Sequence, residues 1–335
     1  MDAYKISVII PVYNMKAYLP RAMQSLHEQT IGFDQLQVLM IDDCSTDGSY
    51  ELIQAYAEQY PNVEAYTTEE NTGAAGEPRN IGMAHAQAPF LMFLDPDDWF
   101  TPRACEFLYA RMKEDDADIV GGIYRFQRET EDTSEPWFSP ENKQVFDLPT
   151  QLMDALKNRL AMWTKIYSRE LIEREHIRFF PSIYGQDTLF LCECLSKARR
   201  YTLYGVCIYN YRVNPQSATN VQGKTFFRKH IAEMEKVKEI LADYPDEAHW
   251  LMGNLSTYYI QKCIEFTQLG KQELIEILAE YRELFIHEGD SVKENVVSAL
   301  VESHREGIAV SYILKEREER SALQSELQQN EKALQ

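Results

Sequence analysis

The chain has 335 residues, 44 % of them hydrophobic and 26 % charged, the composition of a soluble globular protein with room for one large domain and a smaller one. Its 34 basic and 53 acidic residues leave a formal charge of −19, which excludes nucleic-acid binding or docking on anionic lipid through general electrostatics. A phosphate-bearing ligand must instead be met by a local cluster or a bound metal.

The run KISVIIPVY (5–13) is almost continuously apolar and suits a strand buried on both faces. A helix follows from about Lys16 to Gln29, with Leu19, Ala22, Met23 and Leu26 at helical spacing. QVLMI (37–41) is the second strand, and STDGSYELIQAYAEQY supplies cap candidates and a second amphipathic helix. VEAYT (63–67) is the third strand and leads into the loop NTGAAGEPRN. Pro78 there suits the first turn of a helix running to about Gln87. PFLMFL (89–94) and ADIVGGIY (117–124) are further strands, with a helix at 102–114 between them. Strands alternating with helices in this way predict an α/β fold built on a Rossmann-like, mostly parallel sheet.

Residues 127–147 are polar, acidic and aperiodic, and read as a surface loop or flap. MWTKIYSRELI (162–172), YGQDTLFLCECL (184–195) and the apolar run YTLYGVCIYNYR (201–212) follow, and from about Thr225 the patterns are helical. The expected organisation is an α/β domain over 1–222, a helical subdomain over 223–311 and a charged terminal helix over 312–335. In that last helix Leu323, Leu327 and Leu334 stand near heptad spacing, but Arg320 and Asn330 break the stripe. A weak coiled coil and a solvated helix are both open readings, and the helical region offers a surface for homo-oligomerisation.

Ligands of open α/β sheets bind at the carboxyl ends of the strands. Here those ends carry PVYN (11–14), DDCS (42–45), the glycine loop, and DPDDW (95–99). Asp42 and Asp43 can accept from ribose hydroxyls or a base N–H; the alternative is that one caps the next helix, a task Ser45, Thr46 and Asp47 could also perform. Asp95, Asp97 and Asp98 are hard oxygen donors suited to Mg2+ or Mn2+. Such an ion would relieve their repulsion and neutralise a diphosphate leaving group. Asp98 reads equally as a ligand or as a cap for the following helix. GAAGEPRN lacks the Gly-Lys-Ser/Thr ending of a phosphate loop, and GxGxxG is absent. Its glycines permit close backbone approach, and Arg79 is a fork for phosphate or carboxylate, although a turn with a surface arginine would explain the loop as well.

Taken in order, SVIIPVYN, IDDCSTDGS, NTGAAGEPRNIG, FLDPDDW, WTKIYSRELI, GQDTLF and YNYRVNPQSAT resemble the inverting family-2 glycosyltransferases, whose catalytic domain has the nucleotide-diphospho-sugar (GT-A) fold. The resemblance spans about residues 5–220. The GxPRN form is most similar to bacterial enzymes that glycosylate wall teichoic acid and related surface polymers. It implies a metal-dependent transfer, with Mn2+ or Mg2+, from a UDP-sugar to a hydroxyl of a glycan, polymer or glycoprotein. It further implies that Pro11, Val12 and Tyr13 flank the base while Asp42 or Asp43 accepts from uracil or ribose. Arg79 would lie near the diphosphate or sugar, and Asp95 and Asp97 would form the DxD pair, Asp97 being the direct metal ligand. Asp187 matches the catalytic base, but Gln186 stands where many relatives carry a carboxylate. Arg212 matches a residue that covers the phosphates, and Lys165 occupies another basic position.

Inverting transfer needs a base on the acceptor face and charge neutralisation on the leaving-group face, and a helix start favours the charged form of a carboxylate such as Asp187. A plain N-cap is the alternative for that residue. Trp99, Trp163 and Tyr184 could stack on sugars, although core packing is the commoner fate of such rings. A nucleotidyltransferase acting on sugar phosphates would leave Asp187 without a role. A silent glycan- or nucleotide-binding scaffold would not need Asp95, Asp97 and Asp187 together.

The six cysteines, at 44, 105, 192, 194, 207 and 263, form no CxxC pair or zinc-finger spacing and read as free thiols. No stretch approaches the roughly 20 apolar residues of a transmembrane helix, and the first ten residues lack the pattern of a secretory signal. The expected location is cytoplasmic, including a peripheral position at the inner face of the membrane.

Overall fold

The computed structural model describes residues 4–127, 134–158, 161–180, 185–213, 224–265, 269–285, 309–311 and 313–315. The chain divides into two compact units, residues 1–215 and 216–335.

In the first unit, β1 (Ile6–Val12) and β2 (Leu36–Asp42) are buried at every position, as their unbroken apolar runs require of central parallel strands. They pair in parallel from Ile6↔Leu36 to Val12↔Asp42. β3 (Val63–Thr67) joins β2, and β4 (Phe90–Phe93) joins the other side of β1, both in parallel. The chain thus reverses its direction of sheet growth at β1, which opens a crevice at the carboxyl ends of β1 and β4.

Beyond β4 the sheet is mixed. β8 (Lys165–Ser168) runs antiparallel to β4, and β6 (Ile119–Gln127) antiparallel to β8. β9 (Arg200–Arg212) runs parallel to β6, with β5 (Trp99–Phe100) antiparallel on its far side. The order is β3-β2-β1-β4-β8-β6-β9-β5.

The flap expected over 127–147 is corrected by the structure. β6 runs to Gln127, and β7 (Phe138–Asp147) pairs antiparallel with β9. Most of β7 is exposed, so its backbone ladder holds it in place and its side chains carry no apolar period that could reveal it.

Helices cover the sheet. α1 (Leu19–His27), α2 (Ser49–Gln59), α3 (Gly76–His85) and α4 (Ala104–Glu114) follow the first strands. α3 approaches β1 and β2 closely because Gly82 has no side chain: a Cβ there would lie 2.5 Å from Ile9 Cγ2 and 2.9 Å from Ile41 Cδ1. The short α5 (Leu152–Leu156) and α6 (Arg169–Arg174) precede α7 (Gln186–Lys197). Phe93 of β4 meets Tyr167, Phe179 and Phe190 edge-on at 5.3–5.8 Å, and Phe179 stacks on Phe190 at 4.1 Å. This aromatic core clamps α7 to β4.

The second unit contains α8 (Lys224–Ile240), α9 (Pro245–Glu265) and α10 (Lys271–Phe285). Met234, Val237, Leu251, Leu274 and Leu278 form its apolar interior. Beyond residue 285 the described residues are 309–311 and 313–315, so the expected terminal helix lies almost wholly outside them. Among the described residues no helix is long and apolar enough to cross a membrane, and Cys44, Cys105, Cys192, Cys194 and Cys207 are free thiols.

Candidate active site

Three of the expected residues meet at one point. Arg79, on the first turn of α3, is 4 % exposed. Its Nη1 donates to Asp187 Oδ1 at 2.6 Å and its Nη2 to Asp95 Oδ1 at 2.8 Å. The guanidinium also lies over the Phe179 ring at 5.2 Å. Burial alone would make the guanidinium easier to deprotonate, but Asp187 and Asp95 outweigh it and raise its pKa. Of the two sequence readings of Arg79, a fork for phosphate or carboxylate and a surface arginine in a turn, the second is corrected: the side chain is the buried cation joining the end of β4 to the start of α7.

Asp187 stands in the first turn of α7. The N-cap is Gly185, whose φ of 74° is a left-handed conformation, and no side-chain cap bond is made there. The plain capping reading of Asp187 is corrected accordingly: its carboxylate turns to Arg79. Gln186, beside it, is 7 % exposed, and its Nε2 has no hydrogen-bond partner among the described residues.

Asp98 neither caps α4, whose N-cap is Arg103 without a side-chain bond, nor faces solvent. Its Oδ1 accepts from the Arg212 backbone N–H at 2.7 Å and its Oδ2 from the Tyr209 hydroxyl at 2.9 Å. Burial, then the charges of Asp95 and Asp97, push this carboxyl well above its ordinary range. The same Tyr209 oxygen accepts from the Asp95 N–H at 3.2 Å. Asp98 is thus the brace between the acidic loop and β9. Arg212 closes the loop from outside: its Nε donates to the Asp97 carbonyl at 3.0 Å, and its guanidinium stands over Trp99 at 4.8 Å.

At the ends of β1 and β2 the two neighbouring aspartates divide in role. Asp43 accepts from Thr68 Oγ1, Thr72 N and Thr72 Oγ1 at 2.9–3.1 Å, which anchors the glycine loop. Asp42 accepts from Ser45 N at 2.8 Å through Oδ2, while its buried Oδ1 has no hydrogen-bond partner among the described residues. Neither caps α2, where Gly48 is the N-cap. An unmatched buried acceptor costs about 1–3 kcal/mol, so Asp42 Oδ1 is the oxygen suited to receive a ligand's N–H or O–H. Pro11 and Val12 are buried in β1, whereas Tyr13 is 47 % exposed beside them.

Lys165 opens β8, the antiparallel neighbour of β4. It is 1 % exposed, and its Nζ donates to Ala161 O at 2.8 Å and to Thr164 Oγ1 at 3.3 Å. Burial pushes its pKa down to about 7. Tyr184, a suggested stacking residue, is outside the described residues. A cavity of about 470 Å3 adjoins Trp99 and is lined by Arg21, Arg103, Arg125 and Phe138, but not by Arg79, Asp95, Asp97 or Asp187. The clustered carboxylates and this cavity do not coincide.

Sequence reasoning passed over Tyr124, Phe126, Tyr209 and Tyr211. Tyr124 pairs with Tyr209, and Phe126 with Tyr211, across the parallel β6–β9 ladder. The signal was present in YRFQ (124–127) and YNYR (209–212), which alternate aromatic and polar side chains with the period of a strand.

Comparison with known proteins follows the same lines. Residues 7–174 match the model of "Glycosyl transferase family 2". The uncharacterized glycosyltransferase YibD of Escherichia coli is 32 % identical over 261 residues, 72 % of this chain and 74 % of that protein. The minor teichoic acid biosynthesis protein GgaB of Bacillus subtilis is 27 % identical over 304 residues, covering 86 % of this chain but a third (33 %) of its own length. A crystal structure of residues 1–349 of Staphylococcus aureus TarS in complex with UDP-GlcNAc superimposes with a TM-score of 0.68 at 19 % identity, covering 95 % of this chain and 92 % of that one. That likeness establishes the shared GT-A fold. The family model and the E. coli relative establish the rest: the chain belongs to glycosyl transferase family 2.

Proposed function

We propose that the chain is a metal-dependent inverting glycosyltransferase that moves a sugar from a UDP-sugar to a hydroxyl of a cell-surface polymer. The observation that carries this reading is the Arg79 bridge, which holds a helix-start carboxylate and a strand-end carboxylate on one buried guanidinium. Asp187 takes the proton of the acceptor hydroxyl as that oxygen attacks the anomeric carbon, from the side opposite the departing UDP. Arg79 keeps this carboxylate in place through Nη1 while its Nη2 holds Asp95. Arg212, hooked to the Asp97 carbonyl, is suited to cover the phosphates, and Asp42 Oδ1 to accept from uracil or ribose.

Among the described residues no three carboxylate, histidine or cysteine side chains form a metal cage. A divalent ion would therefore be held by Asp97 and Asp95 together with donor phosphates, the usual manner of Mg2+. Asp98 stays buried beside this pair, its carboxyl driven up first by burial and then by the charges of Asp95 and Asp97. When bound, the ion neutralises charge developing on the leaving diphosphate.

The donor class is supported by TarS, solved with UDP-GlcNAc and named a poly(ribitol-phosphate) beta-N-acetylglucosaminyltransferase. The acceptor class is supported by that name and by GgaB, a teichoic acid biosynthesis protein. A nucleotide-sugar donor fits a cytoplasmic reaction at the inner face of the membrane. Supplying a panel of UDP-sugars with Mn2+ and measuring the released phosphates tests the reading. Free UDP is expected from at least one donor, whereas UTP and sugar 1-phosphate formed from the UDP-sugar and added pyrophosphate would mean nucleotidyl transfer.

A further inference from the structure

β6 and β9 carry an aromatic ladder that the mechanism above does not use. Tyr124 and Phe126 stand two residues apart on β6, as do Tyr209 and Tyr211 on β9, so each pair shares a face, and the two strands pair them rung to rung. Trp163 packs across the rungs, tilted on Tyr209 at 4.4 Å, stacked with Tyr211 at 5.5 Å and edge-on to Tyr124 at 4.8 Å. Phe126 meets Tyr211 edge-on at 5.7 Å.

The ladder has two distinct ends. At its inner end Tyr209 is fully buried and its hydroxyl bonds Asp98 and the Asp95 amide. Tyr211 is half-buried, and burial followed by the charges of Asp98, Asp95 and Asp97 pushes its hydroxyl up to about 12. At the outer end Phe126 is 60 % exposed. Exposure of a large ring at that level contributes little to the core, and aromatic surface leading to a reactive site marks a ligand surface.

The sheet order identifies the ligand's side. Of the residues assigned above to the nucleotide, Pro11 and Val12 belong to β1, Tyr13 follows it and Asp42 ends β2, while Asp95 follows β4 by two residues. The ladder lies past β4 and β8, on β6 and β9. The acidic loop runs from the end of β4 to β5, beyond β9, and so crosses the strands that carry the ladder, on the half of the sheet away from β1 and β2, the half left for the acceptor. Ring faces carry partial negative charge, which matches the weakly positive C–H faces of a pyranose, and the ladder itself bears no charged group.

We propose that the β6–β9 aromatic ladder is the platform on which the acceptor's neutral pyranose units stack, with Phe126 and Tyr211 as the outer contacts. The proposal rests on the glycosyl-transfer reading for its direction, but its test does not require turnover.

Calorimetric titration of the full chain with chitotetraose, cellotetraose, maltotetraose and poly(ribitol phosphate) tests it. At least one neutral tetrasaccharide is expected to bind. Phe126→Ala should weaken that binding about threefold to tenfold, the worth of one aromatic contact, and Phe126→Tyr should restore it. Trp137→Ala, at an aromatic residue 65 % exposed but outside the ladder, should leave binding unchanged. Wild-type protein that binds no neutral tetrasaccharide overturns the proposal. So does binding of the polyanion alone, or equal loss in Phe126→Ala and Trp137→Ala. Absence of UDP release from every UDP-sugar would instead count against the transfer reading, with the binding data unaffected.

Discussion

At the residue scale, Asp98 and Lys165 show how burial sets a side chain's role apart from its motif. Asp98 sits among three clustered carboxylates, yet both its oxygens are committed to β9 through Tyr209 and the Arg212 amide. Asp98→Ala should therefore cost stability, about 1–3 kcal/mol for each stranded donor, read as a lowered denaturation midpoint with the denaturant slope unchanged. Lys165, with a pKa lowered from 10.5 to about 7, gives a pH-dependent test. Between about 7 and its ordinary value the unfolded chain holds the proton and the folded chain does not, so this residue's contribution to stability rises with pH across that window. Lys165→Met should raise the melting temperature more at pH 6 than at pH 10. An equal gain at both would mean that the ammonium is not penalised by burial.

At the scale of elements, the packing of α3 on β1 and β2 decides where Arg79 lies. Gly82→Ala places a Cβ against Ile9 and Ile41, a strain of about 1–3 kcal/mol set against a helix-propensity gain of about 1 kcal/mol. Net destabilisation and weaker donor binding are expected together, because the same helix presents Arg79; thermal unfolding and UDP calorimetry on one sample check both.

The elements differ in how far the sequence disclosed them. β1, β2 and β4 were legible because strands buried on both faces are apolar runs, α1 and α2 because one face of each is apolar, and α3 because Pro78 suits a helix's first turn. β7 was not, since an exposed edge strand is held by backbone bonds that leave no side-chain pattern. Asp95, Arg79 and Asp187 were each visible in their motifs. Their meeting was not, because Asp187 lies 108 residues from Arg79 in sequence. The bond between Asp98 and Tyr209 spans 111 residues and is illegible locally for the same reason.

For the molecule as a whole, a formal charge of −19 opposes the approach of a nucleoside diphosphate, and Arg79 and Arg212 already serve acidic-loop partners. A divalent cation should be needed to reverse the local field. UDP binding measured with Mn2+ should fall at least tenfold (~1.4 kcal/mol) on adding a chelator, and Asp97→Asn should remove most of the Mn2+ effect. Undiminished UDP affinity in chelator would show that the arginines suffice.

The most direct measurement of the central claim separates binding from chemistry at Asp187. With the productive UDP-sugar and Mn2+, UDP release to acceptor is followed for wild type and Asp187→Asn, beside calorimetry of UDP on both. Loss of transfer by about a hundredfold or more, the scale of a general base, with UDP affinity within about threefold of wild type is the predicted result. Turnover by Asp187→Asn near the wild-type rate would contradict the account.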